Sequence, residues 1–367
     1  MRAKVASSAS LFWDQGKLVW DDYVGHRQHA LSIESERVLR WFSDWRDLDT
    51  VRAIGDEYFA IAERLLEAGV LVAEDSSEHA MEQRILAQWG SWGPAARSLH
   101  FASRTLTGVR FLSAEEDAAA MRTQAYAHAQ AGATPDLAKS YPDRQLIPLP
   151  SGRPDDSAWP RRNLLDALYD RRSTRRFAPE PLALEELGAI LQTVGGFVEV
   201  LEQANGPAAL KTSPSAGALH PVELYVHALS VDGLAPGAYH FAPTRGGLEV
   251  LDRGVGQARS LPALGGQPWL AEAPALILFT AVIERLQWRY RSPRAYRDLL
   301  IGLGHVNQTA LLLSSAMGLG AVFATAVCDE DLEQLIGVDP TAEIVLGVTA
   351  LGHPAEEAEG LQKTITW

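Results

Sequence analysis

The chain has 367 residues, enough for two or three domains, and 47% of them are apolar, so it can build a large core. Its net charge of −13 excludes a general nucleic-acid binder with a basic face and leaves room only for local basic pockets. The only cysteine, Cys328, excludes an internal disulfide framework and a multi-cysteine metal site.

The start, Met1 to Ser8, lacks the apolar core of a secretory signal, which predicts a cytoplasmic protein. Residues 1–78 read as a small domain of their own. Leu18-Val19-Trp20 and His29-Ala30-Leu31 predict two short strands, and Ser35 to Phe42 repeats apolar residues at helical spacing. A second helix is predicted over Tyr58 to Ala68, stopped by Gly69, with Val70-Leu71-Val72 as a following wing strand. This pattern resembles a small winged-helix domain of the kind found in ribosomal-peptide modification enzymes, where a leader peptide adds a strand to the sheet edge. A domain that merely packs on a catalytic unit has the same pattern.

Residues 79–160 form a helical segment and a linker. The helical part, to about residue 130, carries Trp89, Trp92, His100 and Phe101 on one expected surface. A stretch rich in Pro, Gly and Ser follows over 132–160 and predicts an extended linker or wrapping arm.

Residues 161–367 alternate helix and strand. Asn163 to Tyr169 is amphipathic, with Leu164, Leu165 and Leu168 on one side, and Leu184 to Val194 is a further helix. Strands are expected over 222–229, 237–242, 247–251, 275–283, 321–328 and 343–351, with 237–251 as a hairpin and a long helix over 295–318. A mixed sheet flanked by helices is the natural architecture, in the α+β class. The most apolar run, Leu299 to Leu319, carries Gly302, Gly304, His305, Asn307 and Gln308. A membrane span tolerates such a row poorly, so it reads as a core helix and no membrane is expected.

Two segments of this region carry chemistry. Arg171-Arg172-Ser173-Thr174-Arg175-Arg176 concentrates cations and hydroxyls suited to a phosphate. Ser213-Pro214-Ser215-Ala216-Gly217-Ala218-Leu219-His220-Pro221 is a small-residue loop that lets a flat ligand approach the backbone. Together they predict a flavin mononucleotide (FMN) site. A solvated basic run and an ordinary turn are the plainer readings of the two segments taken singly.

Arg171-Arg172-Ser173-x-Arg175 followed by Pro214-Ser215-Ala216-Gly217 resembles the nitroreductase fold. Within it, the chain is most similar to the SagB-type dehydrogenases, the azoline oxidases of thiazole/oxazole peptide biosynthesis. Ala-Leu-His-Pro at 218–221, Gly-Ala-Tyr-His-Phe at 237–241 and Ala-Tyr-Arg-Asp-Leu-Leu-Ile-Gly-Leu-Gly-His at 295–305 extend the likeness over roughly 161–354. The resemblance implies bound FMN and a homodimer in which both subunits build each flavin site. By position, Arg171, Arg172, Ser173 and Arg175 then hold the phosphate and ribityl chain. Pro214, Ser215, Ala216, Gly217 and Leu219 lie along the ring. Ala324, Thr325 and Ala326 cross its other face, with backbone amides at the N5 edge. The helix 295–318 fits a dimer-interface core, or equally burial within one subunit.

The departures from the family matter as much. Peptide azoline oxidases carry a Lys-Tyr pair where this chain has Arg289-Tyr290. Arginine stays protonated, so Tyr290 becomes the acid/base candidate and Arg289 either holds an anion, lowers the Tyr290 pKa, or is a surface cation. Thr309 stands where the family usually has asparagine, and Lys363 alone remains of the C-terminal cations that clamp phosphate in simple nitroreductases. His220, His240 and His305 are widely spaced without a carboxylate at ligand spacing, so no metal is expected.

Three functions follow. The first is FMN-dependent oxidation of a ribosomally made peptide, azoline-to-azole by family default and a different peptide oxidation by the Arg289 change. The second is an NAD(P)H-dependent reductase of quinones or nitroaromatics. The third is a catalytically silent scaffold of a peptide-modifying complex that works through residues 1–78.

Overall fold

The computed structural model describes residues 1–110, 135–150, 162–203, 206–254 and 261–355, with 115–116, 119–120 and 123. Contacts divide the chain into two compact units, Met1–Val109 and Arg110–Trp367.

The first unit holds two small antiparallel sheets. In one, Arg2–Val5 lies between Arg46–Asp47 and Leu71–Ala73. In the other, Lys17–Asp22 lies between Ser10–Asp14 and Arg27–Leu31. The expected strand at 70–72 therefore joins the N-terminal strand. Sequence reading missed that strand because Arg2-Ala3-Lys4-Val5 is short and half charged, with Ala3 its fully buried member. The helix Ile33–Trp41 starts at Ser32, whose hydroxyl caps the Ser35 N–H. The helix Glu57–Glu67 ends where Gly69 turns to φ +77°, a cost-free cap for glycine. Both helices bury one stripe, including Val38, Tyr58, Ala62 and Leu65, against Trp20, Phe42 and Leu71. The unit continues through Ser77–Trp89 and Gly93–Ala102. There Trp89 meets Trp92, His100 and Phe101 at ring-centre distances of 5.4, 4.4 and 5.8 Å, the shared surface expected of them.

The second unit is built on a seven-stranded sheet. Its order is Gly320–Ala324, Glu343–Gly352, Ala275–Val282, Val222–Ala228, Gly237–Ala242, Gly247–Arg253 and Leu146–Pro148. The ladders between these strands are antiparallel, and a parallel bridge from Ser173 to Ala321 makes the sheet mixed. The central strand Val222–Ala228 is buried throughout because both faces are covered. Alternation sends Leu224 and Val226 to one core with Leu187, Ile190, Leu191 and Phe279, and Tyr225 to the other with Leu276, Leu278 and Val348. The edge strand Leu146–Pro148 comes from the proline-rich stretch, part of which, 151–160, lies outside the described residues.

The helix Ala295–Ala316 lies on the first of these faces. Its buried positions, Leu299, Gly302, Leu303, Asn307, Ala310, Leu311 and Ser314, recur every three or four residues. By length and composition it could cross a membrane, but Thr349 of the sheet donates to Asn307 Oδ1 at 2.7 Å, a polar anchor suited to a core helix. The strand expected over 321–328 ends at Ala324. Beyond it, the Ala326 carbonyl accepts from the Gln267 side chain instead of continuing a ladder. A hairpin, Glu199–Gln203 with Gly206–Leu210, and the helices Ile283–Arg289 and Asp329–Ile336 had no counterpart in the sequence reading.

Candidate active site

The arginine cluster follows the helix Leu164–Asp170. Arg171 ends that helix, and the Ser173–Ala321 bridge then holds the chain extended, so side chains alternate. Arg171, Arg172 and Thr174 line a cavity of about 160 Å³ together with Arg162, Ser315 and Gly320. A Cβ at Gly320 would sit 2.6 Å from the Thr174 methyl, so glycine is what lets the two strands close at this cavity. Arg172 also donates to the carbonyls of Tyr169 and Arg171 at 2.7 and 2.8 Å. Arg175 points elsewhere. Its guanidinium lies 5.6 Å from the Trp269 ring centre, beside Gln267, which holds Ala326. The cluster is thus brought together with the segment Ala324–Ala326, through the strand that Ser173 pairs with.

The loop 213–221 is held in an unusual backbone shape. Gly217, Ala218 and His220 have φ of +60°, +54° and +41°, a left-handed run that only glycine adopts freely. Several hydrogen bonds hold it. The Ser215 hydroxyl accepts from the His220 N–H at 3.1 Å, and Arg285 donates to the His220 carbonyl at 3.0 Å. The His220 ring donates from Nε2 to the Ala209 carbonyl at 2.8 Å. The long helix grips the start of the loop. Ser213 and Thr309 share a 2.7 Å hydrogen bond, and His305 Nδ1 reaches the Pro214 carbonyl at 3.4 Å. Thr309 therefore contacts the loop.

Arg289 and Tyr290 end the helix Ile283–Arg289 and meet this loop. A Cβ at Gly217 would lie 2.8 Å from the Tyr290 hydroxyl and 2.9 Å from Arg289 Nη1. The Arg289 guanidinium stands 5.3 Å from the Tyr290 ring centre. Leu219 and Ala216 pack in the same small apolar cluster as Tyr290. The site residues thus form two groups, and the long helix connects them. His305 and Thr309 touch the loop, while Leu311 and Ser315 line the arginine cavity, the two pairs being centred about 9 Å apart at helical rise. Lys363 lies outside the described residues.

Behind the loop runs a buried polar chain that the sequence reading missed. His240 has no carboxylate at ligand spacing in the sequence, yet Glu249 contacts its Nδ1 at 2.8 Å and Glu223 its Nε2 at 3.4 Å. These residues sit on adjacent strands, where cross-strand register and not sequence spacing makes neighbours. The opposite oxygen of Glu223 pairs with Arg285 at 2.5 Å. Burial alone would raise the Glu223 carboxyl, but the hydrogen bond from His240 and the charge of Arg285 outweigh it and hold it at about 2. Burial, with the nearby charge of Lys211, pulls His220 down to about 4. Burial likewise pulls Lys211 down to about 8, opposed by Glu223 and aided by Arg285. Among the described residues no group of His, Cys, Asp or Glu is placed to hold a metal ion.

The sheet, the helices on both its faces and the matched segment 168–353 make the chain a member of the nitroreductase family, and so an oxidoreductase. Among particular relatives, it is 34% identical over 176 residues to the nitroreductase-named protein MJ1384 of Methanocaldococcus jannaschii, covering 48% of this chain and 84% of that one. It is 23% identical over 343 residues to the trifolitoxin-processing protein TfxB of Rhizobium leguminosarum bv. trifolii, covering 91% of this chain and 85% of that one. A solved nitroreductase-type structure from Ralstonia eutropha overlaps 62% of this chain and 97% of its own, at 24% identity and a TM-score of 0.47.

Proposed function

We propose that the chain is an FMN-dependent dehydrogenase that oxidises a ribosomally made peptide. The observation that carries this reading is the convergence of the Tyr290 hydroxyl and the Arg289 guanidinium on the backbone at Gly217. The residues present fit the cofactor. Arg162, Arg171, Arg172 and Thr174 offer guanidinium forks and a hydroxyl to a phosphate, and the loop 214–217 offers bare backbone to a flat ring. The separation of the two groups along the helix agrees with a homodimer in which each flavin site draws on both subunits.

When bound, FMN supplies a two-electron hydride acceptor that oxygen reoxidises. The chain's own groups do the rest. Arg171 and Arg172 fix the phosphate. Loss of hydride from a substrate carbon leaves a proton on the neighbouring nitrogen or oxygen, and Tyr290 as phenolate accepts that proton. Arg289, always protonated, offsets the phenolate charge. The TfxB match supports a peptide substrate because its span takes in most of the first unit as well as the second. We assign residues 1–78 to peptide recognition and residues 161–367, together with the edge strand Leu146–Pro148, to FMN binding.

A small-molecule reductase is the second reading, favoured by the likeness to MJ1384. One experiment separates them. The FMN-loaded protein is mixed anaerobically with a candidate precursor peptide, or with NADPH, while the visible flavin band is followed. Bleaching by the peptide alone is expected. Bleaching by NADPH with an inert peptide selects the reductase, and a chain that takes up no FMN rejects both.

A further inference from the structure

Tyr290 also forms part of the wall of a groove in the second unit. This groove has a volume of about 520 Å³, and its apolar lining includes Ile283, Leu286, Pro293, Tyr296 and Leu299. Leu286 and Leu299 are buried, whereas Tyr296 is 41% exposed and stands at the opening. A cavity of about 150 Å³ already accepts a benzene ring. The groove therefore has room for an aromatic side chain and the peptide backbone on either side of it.

The charge at the groove is opposite to that of the molecule. Among the described residues no Asp or Glu lines it, and Arg291 does. Arg294 follows one turn later, and both residues are exposed. Among the described residues neither guanidinium is in an ion pair with a carboxylate. On a chain of net charge −13, a cationic rim beside an apolar slot selects a ligand that is apolar at one point and anionic next to it. Guanidinium is also the side chain that best forks onto a carboxylate.

We infer that this groove holds an aromatic side chain of the substrate peptide, and that Arg291 and Arg294 receive a carboxylate one or two residues away. The inference deepens the peptide-dehydrogenase reading and rests on it, because Tyr290 would then face the backbone of the residue held in the slot. The substrate class is an acidic peptide oxidised beside an aromatic residue.

Calorimetry on the full chain tests this with three end-blocked hexapeptides: one with Phe flanked by Asp, one with Ala flanked by Asp, and one with Phe flanked by Lys. The Phe–Asp peptide is expected to bind at least ten-fold more tightly than either other and to weaken with added salt. Arg291→Glu with Arg294→Glu should reverse the Asp-over-Lys preference, and Tyr296→Ala should shrink the Phe-over-Ala ratio. Equal affinities for the three peptides would overturn the inference, and that result stands whether or not the variants fold. A fall to monomer mass in the double charge reversal would also overturn it, by showing that the groove is an interface between copies. FMN uptake, read by visible absorption on the same samples, tests the enzyme reading separately. Loss of uptake with the peptide ratios intact sinks the enzyme and spares the groove; full uptake with ratios of one does the reverse.

Discussion

The two ends of the candidate site are built in contrasting ways. The arginine end is polar and largely local: Arg171, Arg172 and Thr174 arrive within one short segment, beside Arg162, which pairs with Asp170 at 3.5 Å, the end of the long helix and Gly320. The tyrosine end is apolar and assembled. Gly217 and Tyr290 are far apart in sequence and meet through a left-handed turn, and Tyr290 also borders the groove lined by Leu286 and Leu299. The contrast separates two tasks. An anchor for a charged group needs many donors and tolerates displacement. A proton-transfer group needs one atom at one place, so its neighbours must be rigid.

If the tasks are divided in this way, substitutions at the two ends should differ in kind as well as in size. The largest effect is expected at Tyr290. Tyr290→Phe should slow substrate-driven flavin reduction by about 10²–10⁴ while FMN stays bound, as measured by stopped-flow absorbance. An unchanged rate would remove Tyr290 from the chemistry and reduce the tyrosine end to packing. Next comes the buried chain behind the loop. Arg285→Met removes one charged partner of Glu223 and leaves it His240 and the Lys139 N–H, which should cost about 1–3 kcal/mol in denaturant unfolding. Smaller loss would mean that the loop does not depend on this pair.

At the arginine end, Arg171→Ala should weaken FMN retention about ten-fold or more, from the loss of a charge-assisted hydrogen bond of roughly 1.5–3 kcal/mol. The same variant at saturating FMN should keep its reduction rate, which would set anchoring apart from chemistry. The smallest effect is a pH response. Burial holds His220 and His227 at about 4, below the ordinary 6.5, so the folded chain binds fewer protons than the unfolded one between these values. Stability should therefore be fully present above pH 6.5 and fall as pH drops toward 4. His227→Phe should flatten its share of that slope in thermal melts at pH 7 and pH 5.

The arginine end was the more legible in sequence because its donors are neighbours along the chain. Even there, alternation was needed to see that Arg175 turns to Trp269 while Thr174 turns to Gly320. The strands of the central sheet were legible because burial on both faces leaves continuous apolar runs such as Ala275–Val282. What stayed hidden depends on register. Glu223, His240 and Glu249 stand on three adjacent strands, so no spacing in the sequence announces their contact. The strand Leu146–Pro148 was hidden for another reason. A proline-flanked run reads as linker, and only the free edge of Gly247–Arg253 turns it into a strand.

The small sheet of the first unit carries a further consequence. Its outer strand, Ser10–Asp14, exposes Leu11, Phe12 and Trp13 at 53%, 40% and 70%, and its second edge meets no strand among the described residues. An apolar, unpaired edge is a template for self-pairing, and Asp14 and Lys17 stand beside it as charged gatekeepers. Neutralising those two charges should lower the protein concentration at which the full chain begins to aggregate.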